Sequence, residues 1–68
     1  MQTLIHVRFS PDGSVTEIGA RPQDVAPQAW FNHLSRAAGN DYQSLSGGRG
    51  LFRLDPQALD GIKDAYAK

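Results

Sequence analysis

The sequence predicts an α+β fold: a small antiparallel β-sheet of three or four strands with two α-helices packed on one face, in the order ββαββα or ββαβα. Three observations lead there. Residues Thr3 to Phe9 alternate with a period of two, the pattern of a half-buried strand. Two segments, opening at Pro27 and Pro56, repeat their apolar residues at helical spacing. Between these elements stand clusters of turn-forming residues, Ser10-Pro11-Asp12-Gly13-Ser14 and Gly47-Gly48-Arg49-Gly50.

In the first strand Thr3, Ile5, Val7 and Phe9 point one way, and Leu4, His6 and Arg8 the other. A second strand is expected over Val15 to Ala20. Placing Ser10 opposite Val15 sets Phe9 against Thr16, Arg8 against Glu17, Val7 against Ile18 and Ile5 against Ala20. That register gathers the apolar set on one face and pairs opposite charges on the other. A three-residue loop, with Ser10 facing Ser14, sets Val7 against Glu17 and is disfavoured on this ground. The string FSPDGS over Phe9 to Ser14 resembles the hairpin turn of β-propeller repeats. It occurs once, and a chain of 68 residues is too short for a propeller, so it is read as a turn.

Asp24 is the expected N-cap of the first helix and Pro27 fits its first turn, where a missing N–H is harmless. Pro27, Trp30, Phe31, Leu34, Ala37 and Ala38 form the apolar stripe, opposite Gln28, Asn32, Ser35 and Arg36, and Gly39-Asn40 is the stop signal. Tyr42 to Ser46 alternates weakly. If it is a strand, Leu51 to Leu54 completes a second hairpin and the order is ββαββα; if it is loop, the order is ββαβα. Asp55-Pro56 opens the second helix as N-cap and first helical residue. Its stripe is Leu59, Ile62 and Tyr66, flanked by Ala58 and Ala65. Gly61 inside it either costs about 1 kcal/mol relative to Ala or marks a close approach of another element. Both helices should cover the Ile5/Val7/Phe9/Ile18 face of the sheet.

Composition bounds the function. The 68 residues form a single expected domain, 1–68, and its 40% hydrophobic and 21% charged residues are too apolar a mix for disorder. Seven basic side chains balance seven acidic ones. This is not the balance of a dedicated nucleic-acid clamp or a membrane-surface binder. Without cysteine there is no disulfide framework, thiol nucleophile or Cys-rich zinc site. No apolar run reaches the roughly 18–20 residues of a membrane span, and no basic-led apolar segment reads as a signal peptide, so a cytoplasmic location is expected. The preference for Arg over Lys, with abundant Ala, suggests a GC-rich bacterial genome.

The chemistry-bearing residues are few. His6 and His33 belong to no HxxxH or HExxH spacing, and no Asp-rich loop is present, so no metal site is expected. His33 and Ser35 are two apart on a helix and do not face each other, and GxSxG is absent, so no nucleophilic constellation is expected. Asp60 and Asp64 share a helix face near Lys63 and Lys68, the pattern of a solvated charged surface. No catalytic residue and no cofactor are predicted. The most unusual stretch is Ser46-Gly47-Gly48-Arg49-Gly50, in which Gly47, Gly48 and Arg49 could contact an anion. A hairpin turn is the simpler reading, because the Lys-Ser/Thr of a phosphate loop is missing.

Charge is uneven along the chain. Residues 21–54 carry Arg21, Arg36, Arg49 and Arg53 against Asp24 and Asp41, a net of +2, with Trp30, Phe31, Tyr42 and Phe52 among them. Arginines with aromatics suit a protein interface or a nucleic-acid face. A protein partner is the favoured expectation, a second copy of the chain included, contacted through Leu4, His6 and Arg8 on the uncovered sheet face. Nucleic-acid or phosphate binding through Arg21, Arg36, Arg49, Arg53 and the Gly47-Gly48 loop is the alternative, and no membrane contact is expected.

Overall fold

The computed structural model describes residues 2–67. Seven elements follow one another: β1 (Thr3–Phe9), β2 (Val15–Ile18), α1 (Pro27–Ala38), a single 3-10 turn (Gly39–Asp41), β3 (Tyr42–Leu45), β4 (Arg49–Leu54) and α2 (Pro56–Ala67). The order is therefore ββαββα, and Tyr42–Leu45 is a strand. The four strands make one antiparallel sheet in the order β2-β1-β4-β3. Two sequence-local hairpins are thus joined through their β1 and β4 strands. Both helices pack on the same face: Trp30, Leu34 and Ala38 of α1 and Leu59 of α2 share one core with Ile5, Val7, Val15, Phe52 and Leu54.

The first hairpin combines the two registers that the sequence offers. Arg8 opposes Glu17 and Val7 opposes Ile18, but Phe9 opposes Val15, not Thr16, and Ser10 N–H donates to the Ser14 carbonyl at 2.8 Å. The turn is thus the three-residue loop, closed by Gly13 N–H to the Ser10 carbonyl at 2.9 Å with Gly13 at φ +90°. A β-bulge reconciles this with the downstream pairing, since one strand carries an extra residue at Thr16. The physical reason is the spacing of Val15 and Ile18. Three residues apart, they would fall on opposite faces of a regular strand; the bulge turns both toward the helices. β2 also ends earlier than expected, at Ile18. Ala20 sits at φ +58° and cannot extend the ladder, although Gly19 N–H still donates to the His6 carbonyl at 3.0 Å.

Asp12 fastens this turn. Its carboxylate accepts from the hydroxyls of Ser10 and Ser14 and from the Ser14 N–H. These bonds, the Ser10 hydroxyl first, lower its pKa from 3.8 to about 2. A carboxyl depressed in the folded state contributes stability above its unfolded pKa and loses it as pH falls through the folded one. The contribution of Asp12 is therefore full above pH ~4 and gone below pH ~2. Melting temperatures of wild type and Asp12→Asn should converge over this window. A constant difference between pH 5 and pH 2 would remove the turn carboxylate as the titrating group.

α1 begins without the expected cap. Its N-cap is Ala26, with no side-chain hydrogen bond, and Pro27 is the first helical residue. Asp24 lies two residues upstream at φ +68°. The orphan donors at this end are reduced by one because Pro27 has none to offer. At the other end Gly39 stays right-handed, at φ −59°, and the chain runs on through the 3-10 turn into β3. Of the predicted stripe Trp30, Leu34 and Ala38 are buried and Phe31 is half-buried, while Ala37 is exposed. In α2 the carbonyl of Asp55 accepts from Leu59 N–H at 3.0 Å, which opens the helix where Asp55-Pro56 predicted. Leu59 is buried, Ile62 and Tyr66 half-buried, Ala58 and Ala65 exposed.

Gly61 marks no close approach. A Cβ built there meets nothing within 4 Å. Gly61→Ala should therefore stabilise the protein by about 0.5–1 kcal/mol through helix propensity and a less flexible unfolded chain. Thermal denaturation checks this, and an unchanged or lower midpoint contradicts it.

Candidate functional site

The ladder between β1 and β4 decides which side chains share the uncovered face. Leu4 opposes Arg53, His6 opposes Leu51 and Arg8 opposes Arg49, while Gln43 and Leu45 of β3 lie across from Leu51 and Arg49. On the other side Glu17 of β2 opposes Arg8. Because cross-strand partners point the same way, one face collects Leu4, His6, Arg8, Arg49 and Arg53 around Leu51. In the sequence these residues fall into two separate groups, Leu4, His6 and Arg8 suited to a protein partner and Arg49 and Arg53 to an anion. Tertiary pairing brings them together.

The strands give this face three arginines, His6 and one carboxylate, Glu17, on a chain whose formal net charge is zero. Arg8 and Arg49 stand directly opposite each other, an arrangement that destabilises a sheet when nothing anionic lies between. Arg49 is held in place, with Nε donating to the Ser46 carbonyl at 3.3 Å. Leu4 remains 51% exposed, whereas Leu51, at the centre of the same face, is only 6% exposed. Leu51 is thus buried without a helix above it, flanked in register by His6 and Gln43. A shallow open depression of about 430 Å³ runs between Leu4, His6, Arg8, Glu17 and Arg49, with Gly19 at its border. It exists because β2 stops at Ile18 and leaves the start of β1 flanked by a strand on the β4 side alone.

The remaining candidates are scattered. Arg21 donates from its guanidinium to the Val25 carbonyl and ties down the loop before α1. Arg36 borders a polar groove between the helices with Ala29, Asn32, His33 and Tyr66, on the opposite layer. Gly47 and Gly48 form the β3–β4 turn, at φ +76° and +71°. Successive N–H groups converge on an anion when backbone hands alternate, and here both residues have the same hand. Gly48 has a different role: its carbonyl accepts from Phe9 N–H at 2.8 Å, and its φ of +71° disfavours any side chain there, although a Cβ would only touch the Phe9 carbonyl oxygen at 3.4 Å.

His33 is a helix-to-helix contact. Its ring lies 4.8 Å from that of Tyr66 and 5.8 Å from that of Trp30, and Nε2 is 3.1 Å from the Ile62 carbonyl, to which it donates. His6, exposed on the open face, is far from it in the layering. Among the described residues no group of three His, Cys, Asp or Glu side chains could hold a metal ion. No helix among them is long and apolar enough to cross a membrane. Lys68, expected near Asp60 and Asp64, lies outside the described residues.

Aromatics and arginines part company in three dimensions. Phe9, Phe31, Tyr42 and Phe52 pack ring to ring on the helix side, at centroid separations of 5.0 to 5.9 Å. Trp30 and Tyr66 meet there as well, at 6.0 Å. The stretch that mixes arginine with aromatic residues in sequence is therefore split by the period of the strands, with the rings inside and Arg49 and Arg53 outside.

Fold and site define a two-layer α+β domain with one face of its sheet left open and basic. No family model, curated protein or solved structure matches the chain.

Proposed function

We propose that this chain is a non-enzymatic binding module that acts by protein–protein contact through the open face of its sheet, in the cytoplasm of a bacterial cell. One observation carries the reading: the β1–β4 register assembles Leu4, His6, Arg8, Arg49 and Arg53 into a single surface that no element among the described residues covers. A half-exposed leucine beside Arg53 at one end of the face, with arginines along the rest of it, combines the apolar and arginine contacts that protein interfaces favour. The non-enzymatic part rests on the two histidines, which serve separate layers and share no constellation. Compartment and source rest on composition alone.

Nucleic acid is the second reading. The three arginines favour it, and the placement of the aromatic rings argues against it. Single-stranded nucleic acid is bound by stacking bases on exposed aromatic side chains. Here the rings lie beneath the helices.

Site-specific photo-crosslinking in the native cell tests the proposal, with a photoreactive residue at Leu4 and, as control, at Asp64 on the outer side of α2. A discrete protein adduct from Leu4 that is missing from Asp64 supports it. Nucleic acid joined at Leu4, or adducts from Asp64 alone, overturns it. An adduct of twice the chain mass would identify the partner as a second copy.

A further inference from the structure

The open face carries more information than its sign, and the following rests on that face being the binding surface. Across the sheet the row through Arg8 reads Glu17, Arg8, Arg49, Leu45. Glu17 thus stands beside Arg8, whereas Arg49 has Arg8 on one side and Leu45 on the other. Arg53 faces Leu4. Within the paired ladder Arg49, Leu51 and Arg53 of β4 occupy alternate positions on one face with no carboxylate directly opposite; Asp41, one step before the Tyr42–Phe52 pair, is the acidic residue next in line to Arg53. Residues four apart on a strand are separated by about 13 Å. A partner laid along β4 in extended conformation repeats the same spacing.

We infer that the partner is a protein carrying an acidic extended segment, with two carboxylates four residues apart that reach Arg49 and Arg53. Guanidinium–carboxylate pairs of this kind are the strong class of hydrogen bond, and a carboxylate at Arg49 also relieves its opposition to Arg8. A second copy of this chain is a poor occupant face to face, because it would bring the arginines of both copies together. Leu4, beside Arg53 and half exposed, gives the segment an apolar contact at one end.

The test is titration of the 15N-labelled protein with peptides of eight residues that differ only in two glutamates, placed four apart, placed two apart, or replaced by glutamine. An eight-nucleotide thymidine oligomer is the fourth probe. The expected result is that the four-apart peptide shifts amide resonances of residues 4–8 and 49–53. The two-apart and glutamine peptides should bind at least several-fold more weakly. Arg49→Gln and Arg53→Gln should each weaken binding about tenfold, the scale of one lost charged contact. Both positions are exposed, and Arg49→Gln removes a like-charge opposition together with the exposed contact to the Ser46 carbonyl, two effects of opposite sign, so its melting temperature should stay close to that of wild type.

Shifts at residues 4–8 that persist in both variants would overturn the β4 spacing and leave the open face standing. Shifts confined to the helices would overturn both. Tighter binding of the thymidine oligomer, or no shift with any peptide, would overturn the acidic protein segment.

Discussion

Trp30→Ala is expected to unfold the protein or bring it close to unfolding at room temperature. Trp30 is fully buried, and it joins the two helices to the sheet. Its ring packs against His33 and Tyr66, and its Nε1–H donates to the Gly19 carbonyl at 3.1 Å, which pins the chain where β2 ends. Truncation removes that packing, opens a cavity and orphans a carbonyl. Large-to-small changes of this kind cost about 3–5 kcal/mol. At roughly 0.05–0.15 kcal/mol per residue, a domain of this length holds only about 3–10 kcal/mol in total. Trp30→Phe separates the two contributions: it keeps most of the apolar burial and loses the hydrogen bond, and should cost about 1–2 kcal/mol. Circular dichroism melts of both variants measure this. A wild-type melting curve for Trp30→Ala would mean that the tryptophan is not the joint between the layers.

Gly50→Ala is expected to destabilise the protein by about 1–3 kcal/mol, the usual range for overpacking a filled core. That corresponds to about 5–20 °C in melting temperature for a domain of this size. Gly50 is buried on β4 between Val7 and Ser44, with backbone dihedrals that do not demand glycine. What demands it is Tyr42. A Cβ at position 50 would come within 2.6 Å of the Tyr42 Cε1 and 2.7 Å of its Cζ, and nearer still to the hydroxyl oxygen. The ring has little room to retreat, because Phe52 lies 5.0 Å and Phe31 5.9 Å from it, centroid to centroid. Removing the ring should relieve the clash. The loss in Gly50→Ala/Tyr42→Ser should therefore be smaller than the sum of the two single losses. Strict additivity, or an unperturbed Gly50→Ala, would show that Tyr42 does not fill the space above the glycine.

These two positions differ in how far the sequence discloses them. Trp30 stands at the centre of a helical stripe, and a period of 3.6 residues is enough to place it in the core. Gly50 reads as one more turn glycine in Ser46-Gly47-Gly48-Arg49-Gly50. Its actual role depends on a tyrosine eight residues earlier that folds back across a hairpin, and such a contact leaves no local pattern.

The same division runs through the rest of the molecule. The alternation over residues 3–9, the two helical stripes, Pro27 and Asp55-Pro56 as helix starts, and Gly13 in the first turn are all legible because each is a local preference of the backbone or of a single amphipathic face. The bulge at Thr16 is less so. The sequence offers two incompatible registers, one favoured by the turn and one by burial, and only the packed core makes it worthwhile to satisfy both with an unpaired residue. The helix start at Ala26-Pro27 without a side-chain cap, with Asp24 in a left-handed conformation upstream, is decided by how the loop must reach α1. The candidate site lies furthest from local inference. Leu4, His6 and Arg8 are exposed on β1 whatever its neighbour, so their common face follows from the period of a strand. That Arg49 and Arg53 join them, and that Arg21 and Arg36 do not, was settled when β4 paired with β1 across the 39 residues of chain between them. Strand period fixes which residues of one strand share a face; which strands lie side by side is a long-range choice made by burying Ile5, Val7, Phe52 and Leu54 in one core.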